Sequence, residues 1–552
     1  MLIIKNGMMY DPANKIDGET IDIYIENGKI VEQPANERNN NEDIIIDAKG
    51  MIVMPGGVDI HSHIAGAKVT KARVMCPDDH RKDVIRKTKI SRSGTGYTVP
   101  TTFITGYRYA KLGYTFVAEA ASPPIATRHT HEEFNDIPII DKTAYILMGS
   151  NHFVLDNIKN NNFDGLKNYV GFLLNATKGY AIKIVNPGGV ENWKWGKNVK
   201  GLDDVVINYG VSPREILQNL AKVRKELNLP HAIHVHCNNL GSPGNLRTTL
   251  ETIDAVKGEP IHITHIQFNS YAGENWGSFA SGASEISDKI NSSNNVTVDV
   301  GQVIFGNATT MTADGPWQHT VYKLSHQNKW VNIDVEMETG SGIVPYIFKE
   351  NTAVNAIQWA IGLELFLLVK DPFRICLTTD HPNAGLFYYY PMVVEWLMSK
   401  KKRDEMLNKI NPKAKEKTTL ANIEREYTLQ EIATITRAAT ARIMGLKNKG
   451  HIGTGADADI SIYKFDENNI VKSFSSAKYV IKDGRVVVKD GEITGTHFGR
   501  TYYVKTKGEA NDEIKETFEK FYSISFENYA VEDVYVPRKE VTECCKESIT
   551  NQ

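Results

Sequence analysis

Short apolar or alternating runs open the chain, at residues 2–4, 21–25 and 44–46. Asn6-Gly7, Asn27-Gly28 and a polar stretch around Asn39 to Asn41 break them. Apolar runs of this length, bounded by Gly and Asn, predict strands joined by turns. The same texture returns at residues 460–463, 477–481 and 485–488, punctuated by Lys482-Asp483-Gly484 and Asp490-Gly491. Neither end has enough strands for a good sheet of its own. One composite β-domain built from both ends is the economical reading.

Between the ends the pattern alternates strand and helix. Strands are predicted to begin near Gly57, Thr98, Ala144, Tyr180, His231, Pro260, Asn295 and Phe373. One helix is well marked: Ser212 and Glu215 form a capping box around Pro213, and Ile216, Leu220, Val223 and Leu227 follow at helical spacing until Pro230. A second apolar helix is predicted over residues 353–370, stopped by Asp371-Pro372. Eight strand–helix units predict an α/β fold, a (β/α)8 barrel with insertions, plus a small composite β-sandwich from both termini. The expected division is 1–55 and 436–505 for the two parts of the β-domain, 56–435 for the barrel and 506–552 for a charged C-terminal extension. Residues 400–426 are heavily charged and read as helix with a solvated face.

Composition narrows the partners. The 552 residues carry 64 Lys+Arg against 66 Asp+Glu, a net charge of −2. A nucleic-acid binder needs a cationic surplus, so that class is excluded. A hydrophobic share of 41% excludes a disordered acidic chain. No apolar run approaches the roughly 20 residues a membrane span needs, and the first residues lack a signal peptide's apolar core. A cytoplasmic protein is expected. The five cysteines, Cys76, Cys237, Cys376, Cys544 and Cys545, form no C-x-x-C pair. That argues against a disulfide framework, a zinc ribbon and an iron–sulfur cluster.

The chemistry is written where predicted strands end. In Gly57-Val58-Asp59-Ile60-His61-Ser62-His63, alternation puts His61 and His63 on one face. At the C-terminal rim of a barrel, two neutral imidazoles suit a first-row metal ion. In Tyr180-Ala181-Ile182-Lys183-Ile184-Val185, an inward lysine is costly without a partner. Either Lys178 or Lys183 can in principle take CO2 as a carbamate; Lys178 stands beside Gly179 in the preceding loop, so Lys183 is preferred. In His231-Ala232-Ile233-His234-Val235-His236, His236 is nearest the rim and His234 is read as interior. In Ile261-His262-Ile263-Thr264-His265, the same logic selects His265 and sends His262 to the opposite face. Asp380, in Thr378-Thr379-Asp380-His381-Pro382, ends another apolar strand and can serve as ligand and proton carrier.

His61-x-His63 on the first predicted strand, Lys183 on the fourth, His236 on the fifth, His265 on the sixth and Asp380 on the eighth form an ordered set. That order resembles the amidohydrolase superfamily, in particular its dinuclear members with a carbamylated lysine. A closer likeness lies in the stretch GGVDIHSHIAGAKVTK at 56–71, in Asp78-Asp79-His80, in Arg128-His129-Thr130-His131-Glu132-Glu133, in the run from His236 to Gly244 and in Thr378 to Asn383. These resemble the A-subunit family of formylmethanofuran dehydrogenases. The likeness is weakest at residues 37–42 and after Lys505.

The resemblance implies a metal-dependent amidohydrolase of methanogenic archaea. It would condense formate with methanofuran to formylmethanofuran, reversibly, with Asp380 relaying a proton. The implied metal set is His61, His63, Lys183, His236, His265 and Asp380, holding two zinc ions bridged by carbamylated Lys183. The implied partners are a formate dehydrogenase-like subunit with a tungsten or molybdenum pterin and iron–sulfur subunits; this chain would hold no redox cofactor. The alternative is a cyclic amidohydrolase of the dihydropyrimidinase or hydantoinase kind, which shares all six metal positions but not the loop motifs. A metal-free structural protein on the same fold is a further rival, disfavoured because such proteins lose ligands.

Overall fold

The computed structural model describes residues 1–34, 43–326, 329–333, 341–521, 526–528 and 530–544. The Asn39–41 stretch, Tyr522 and Cys545 lie outside them. Eight parallel strands make the central barrel: β1 (Gly57–Ser62), β2 (Tyr114–Ser122), β3 (Asp141–Leu147), β4 (Ala181–Val185), β5 (Ile233–His236), β6 (Ile261–Ile263), β7 (Val296–Asp299) and β8 (Ile375–Cys376). Each pairs with its successor. With only two residues, β8 cannot close the ring alone. Closure falls to a parallel bridge between Ser62 and His381 and to the His63 N–H, which donates to the His381 carbonyl at 2.7 Å. The ring is thus sealed where the metal-site motifs lie.

Seven of the eight strands lie where the pattern puts them. The second does not. Thr102–Lys111 is a helix with Ile104, Tyr107 and Tyr109 buried, and the strand begins at Tyr114, after Gly113 at φ +89°. The β-branched run Thr98-Val99-Pro100-Thr101-Thr102 favours a strand by propensity, and burial of the aromatic face overrides it. The capped helix is Pro213–Glu226 with its capping box intact, and Ala353–Leu368 matches the second. Residues 400–426 form two short helices, Lys400–Leu407 and Lys413–Lys417, and a 3-10 turn.

Both termini share one sheet. Its seven strands run in the order 492–493, 485–489, 479–482, 460–463, 52–55, 8–11 and 16–20. The join is antiparallel, with Ile460 opposite Pro55. A second sheet holds residues 2–5, 23–26, 29–31 and 44–47. Leu2, Ile4, Ile25, Val53, Ile460 and Ile462 pack between the two. Strand Ile52–Pro55 runs straight into β1 through Gly56-Gly57. A Cβ on Gly57 would stand 2.6 Å from the Tyr114 ring, so only glycine lets the chain enter the barrel this close to β2.

The end of the chain folds back onto the barrel. Strand β9 (Thr501–Lys505) pairs in parallel with the first half of β3, Thr501 opposite Lys142, and β10 (Lys539–Glu543) extends it. Val504 N–H donates to the Gly179 carbonyl just before β4. Beside this seam lies a buried ion network. Lys449 Nζ reaches Asp141 at 2.6 Å, Asp459 at 2.6 Å and Asp457 at 2.9 Å, and Arg500 reaches Asp457, Asp483 and Glu540. It ties barrel, shared sheet and tail together. Removing one partner strands the opposite charges in a dry interior. Lys449→Ala should therefore lower the unfolding free energy by about 3–5 kcal/mol, read as an earlier urea midpoint at unchanged slope. Among the described residues no helix is long and apolar enough to cross a membrane.

Candidate metal centre

β1 ends with His61 turned inward, and His63 follows one residue beyond the strand. Asp380 sits past β8 in a left-handed turn at φ +48°, which swings its carboxylate over the rim. Asp380 Oδ1 lies 3.0 Å from His61 Nε2 and 3.3 Å from His63 Nε2. These three buried side chains have metal-binding proximity. Burial opposes ionisation of Asp380, yet His61, His63 and His265 outweigh it and hold the carboxyl well below the usual carboxylate range. Burial pushes the His61 imidazole down to about 4, helped by Lys183, and holds His265 well below its ordinary value. Neutral imidazoles beside a carboxylate are ready ligands.

Lys183 lies inside the barrel on β4, 1% exposed, in register with His234 and, one strand further, His262. Its Nζ has no hydrogen-bond partner. Burial is the main cause that lowers its pKa to about 7, so much of it is neutral amine, the form that takes up CO2. Lys178 is elsewhere: a left-handed helix cap paired with Asp533 at 3.0 Å. Of the two lysines, only Lys183 lies inside the barrel.

His236 and His265 close the far side, with ring centroids 4.7 Å apart. His265 is also left-handed, at φ +36°, and its Nδ1 has no hydrogen-bond partner. A Cβ on Gly301 would come within 2.5 Å of His265 Cβ, so a glycine makes room for this turn. His61 thus contacts His63 and His265, His265 contacts His236, and Asp380 lies against His61 and His63, while the Asp380 charge acts on Lys183.

The expectation for His262 is corrected. It faces the interior, not the opposite side: Nε2 lies 3.0 Å from Asp299 Oδ2 and the ring stacks on His234. Strand alternation ends at Ile263, so parity counted through to His265 crosses a left-handed turn and fails. His234 is interior, as expected. Its Nε2 meets His61 Nδ1 at 3.0 Å, its Nδ1 meets His231 Nε2 at 3.0 Å, and His231 reaches the Ile443 carbonyl. This row fixes the orientation of the His61 ring from below.

Three carboxylates at the centre were not anticipated from the sequence. Glu119 accepts from His63 Nδ1 at 3.0 Å and from the Ile64 and Ala65 N–H groups. Asp314 lies 3.0 Å from His236 Nε2. Asp299 accepts the His265 N–H at 2.7 Å. Asp299 ends an apolar strand as Asp380 does, and Glu119 interrupts an apolar run; those signals were present. Asp314 caps a helix and carries no comparable mark.

A cavity of about 330 Å³ opens on Asp380 and His265, walled by Phe268, Trp276, Trp317 and Tyr346. Such walls suit a flat ring held beside the reacting atoms. A parallel barrel with imidazoles, a lysine and a carboxylate converging at its C-terminal rim defines a metal-dependent hydrolase. The Amidohydrolase family model matches residues 45–488, and the chain belongs to that family. Protein FwdA of Methanocaldococcus jannaschii is 49% identical over 557 residues, covering 97% of each chain. The A-subunit of the formyltransferase/hydrolase complex Fhc of Methylorubrum extorquens is 35% identical over 544 residues, covering 97% of each. The crystal structure of that organism's FhcABCD complex with methylofuran contains a chain that superposes with a TM-score of 0.92, at 33% identity, over 99% of this chain and all of that one.

Proposed function

We propose that this chain is the amide-forming and amide-cleaving subunit of a formylmethanofuran dehydrogenase complex. It joins formate to the primary amine of methanofuran, giving the formyl amide and water, and runs the reverse hydrolysis. The observation that carries this is the aromatic cavity opening on Asp380 and His265, in a chain similar end to end to one component of a complex solved with methylofuran. The residues fit a two-metal centre: four imidazoles, one carboxylate and an unpartnered lysine amine share one site. His61, His63, His236, His265, Asp380 and a carbamylated Lys183 would hold two zinc ions. Bound there, zinc would polarise the formyl carbonyl and acidify water.

The chain's own residues do the rest. In hydrolysis, Asp380 takes a proton from the attacking water and passes it to the nitrogen as the C–N bond breaks. Glu119 and Asp314 hold the His63 and His236 rings in place. The cavity walls orient the ring of the amine and exclude bulk water. In condensation the same path is retraced: the amine attacks the carboxyl carbon and water leaves. Cys76, Cys237, Cys376 and Cys544 are buried. The likeness to one component of a multisubunit complex supports giving the reduction of CO2 to formate to pterin-bearing and iron–sulfur partner subunits, at work in the cytoplasm.

The test compares two substrates with the zinc-loaded full chain. N-Formylfurfurylamine should be hydrolysed and hydantoin should not. Hydantoin turnover without formyl-amine cleavage would move the assignment to the cyclic amidohydrolases.

A further inference from the structure

Lys68 stands in the second half of the GGVDIHSHIAGAKVTK stretch, outside the set of metal-site residues. It lies on the first turn of helix Ala67–Met75, directly after the His61–His63 segment. It is 5% exposed. Its Nζ is buried and has no hydrogen-bond partner. The nearest carboxylate oxygen, Glu119 Oε1, is 3.7 Å away, beyond hydrogen-bond reach. Glu119 is shared: His63 Nδ1 and the Ile64 and Ala65 N–H groups also donate to that carboxylate.

The helix is held firmly in this position. Glu133 Oε2 accepts the Gly66 N–H at 2.6 Å. Glu133 Oε1 accepts from the Thr70 hydroxyl and pairs with Arg73. Gly66 is left-handed at φ +98°, and a Cβ there would lie 2.6 Å from Thr130 Oγ1. The Arg128-to-Glu133 motif thus fixes the helix that presents Lys68. The Lys68 charge reaches the metal centre, since Asp380 acts on Lys68 and Lys68 acts on Lys183. With Glu119 at 3.7 Å as its ion-pair partner and no close hydrogen bond, the buried ammonium keeps donors that a second anion would complete.

We propose that Lys68 is the carboxylate-binding residue of the centre: its ammonium takes one oxygen of formate in condensation and the formyl oxygen in hydrolysis. This rests on the proposed function and names how its smallest substrate is recognised. In the balanced reaction, formate and the protonated amine give the formyl amide and one water; Lys68 stays charged throughout and exchanges no proton. Holding the carbonyl oxygen as it gains charge makes Lys68 a catalytic residue, beyond a docking point.

The experiment measures formate as a product inhibitor of N-formylfurfurylamine hydrolysis by the zinc-loaded full chain. K68M should raise the formate inhibition constant by about 10- to 100-fold, the worth of a charged hydrogen bond, and lower kcat/KM by at least as much. K68R should recover part of both, and metal content should stay at the parent level. A formate constant within twofold of the parent in K68M overturns the assignment. If Lys68 merely balances Glu119, K68M will lower metal content and thermal midpoint and leave the formate constant alone. Should K68M fail to fold, K68Q and K68R make the same comparison. If the parent cleaves no formyl amine, the proposed function falls, and Lys68 is then judged by direct calorimetric titration of formate into parent and variant.

Discussion

Lys183→Ala will bind a single metal ion at most and will hydrolyse the formyl amide at least about a thousandfold more slowly than the parent. The reason lies in what surrounds the amine. Lys183 Nζ is sealed in the barrel with no hydrogen-bond partner, and burial brings its pKa to about 7. On the proposed function, such a group would gain from becoming a carbamate neutralised by bound cations. Alanine removes the only side chain on β4 proposed to reach both ions. Native mass spectrometry and metal analysis check this together: the parent should carry one added CO2 and two metal ions per chain. A parent mass without the CO2, or an alanine variant that keeps both ions, would refute the bridging role. The pH response has a definite sign. Carbamate formation consumes neutral amine, so metal loading from bicarbonate buffer should rise as pH climbs through about 7 and fall below it.

Asp380→Asn should lower kcat by about two to four orders of magnitude, with kcat/KM falling in step because the proton moves in the transition state. Asparagine keeps the shape and one oxygen but takes no proton. Asn383 Nδ2 donates to Asp380 Oδ1 at 2.9 Å, so the turn has support besides the carboxylate charge. KM for the formyl amide should change little. A variant with near-parental kcat would place the proton relay elsewhere, and Glu119 would be the next carboxylate to test.

The barrel and the places of the six candidate side chains on it were legible for a local reason. His61, Lys183 and His236 sit on regular strands, where alternation reports facing directly. His63, His265 and Asp380 lie just past strand ends, so only their nearness to the rim could be read. His262 marks where alternation stops informing: the turn at His265 resets the parity, and no residue type there announces φ +36°. Thr98 failed differently. A β-branched run became the lead-in to a helix because Tyr107 and Tyr109 had a core to fill. The partners of the ligands were hardest. Glu119 meets His63 across 56 positions and Asp314 meets His236 across 78; only the closed barrel brings them together. Lys68 was visible as a letter, but its burial beside Glu119 without a close hydrogen bond depends on the folded neighbourhood.

The seam between β3 and β4 also sets an order of assembly. The lower half of β3 is covered by β9, more than 350 positions later in the chain. A nascent polypeptide that has not yet emerged to residue 505 presents that part of the barrel wall as a bare strand edge, beside the loop from which Lys183's strand begins. Long-range pairing of this kind forms late. Loading of the metal site would then follow release from the ribosome, and a truncated product would remain both unlatched and unloaded, open to proteases before it could compete for metal.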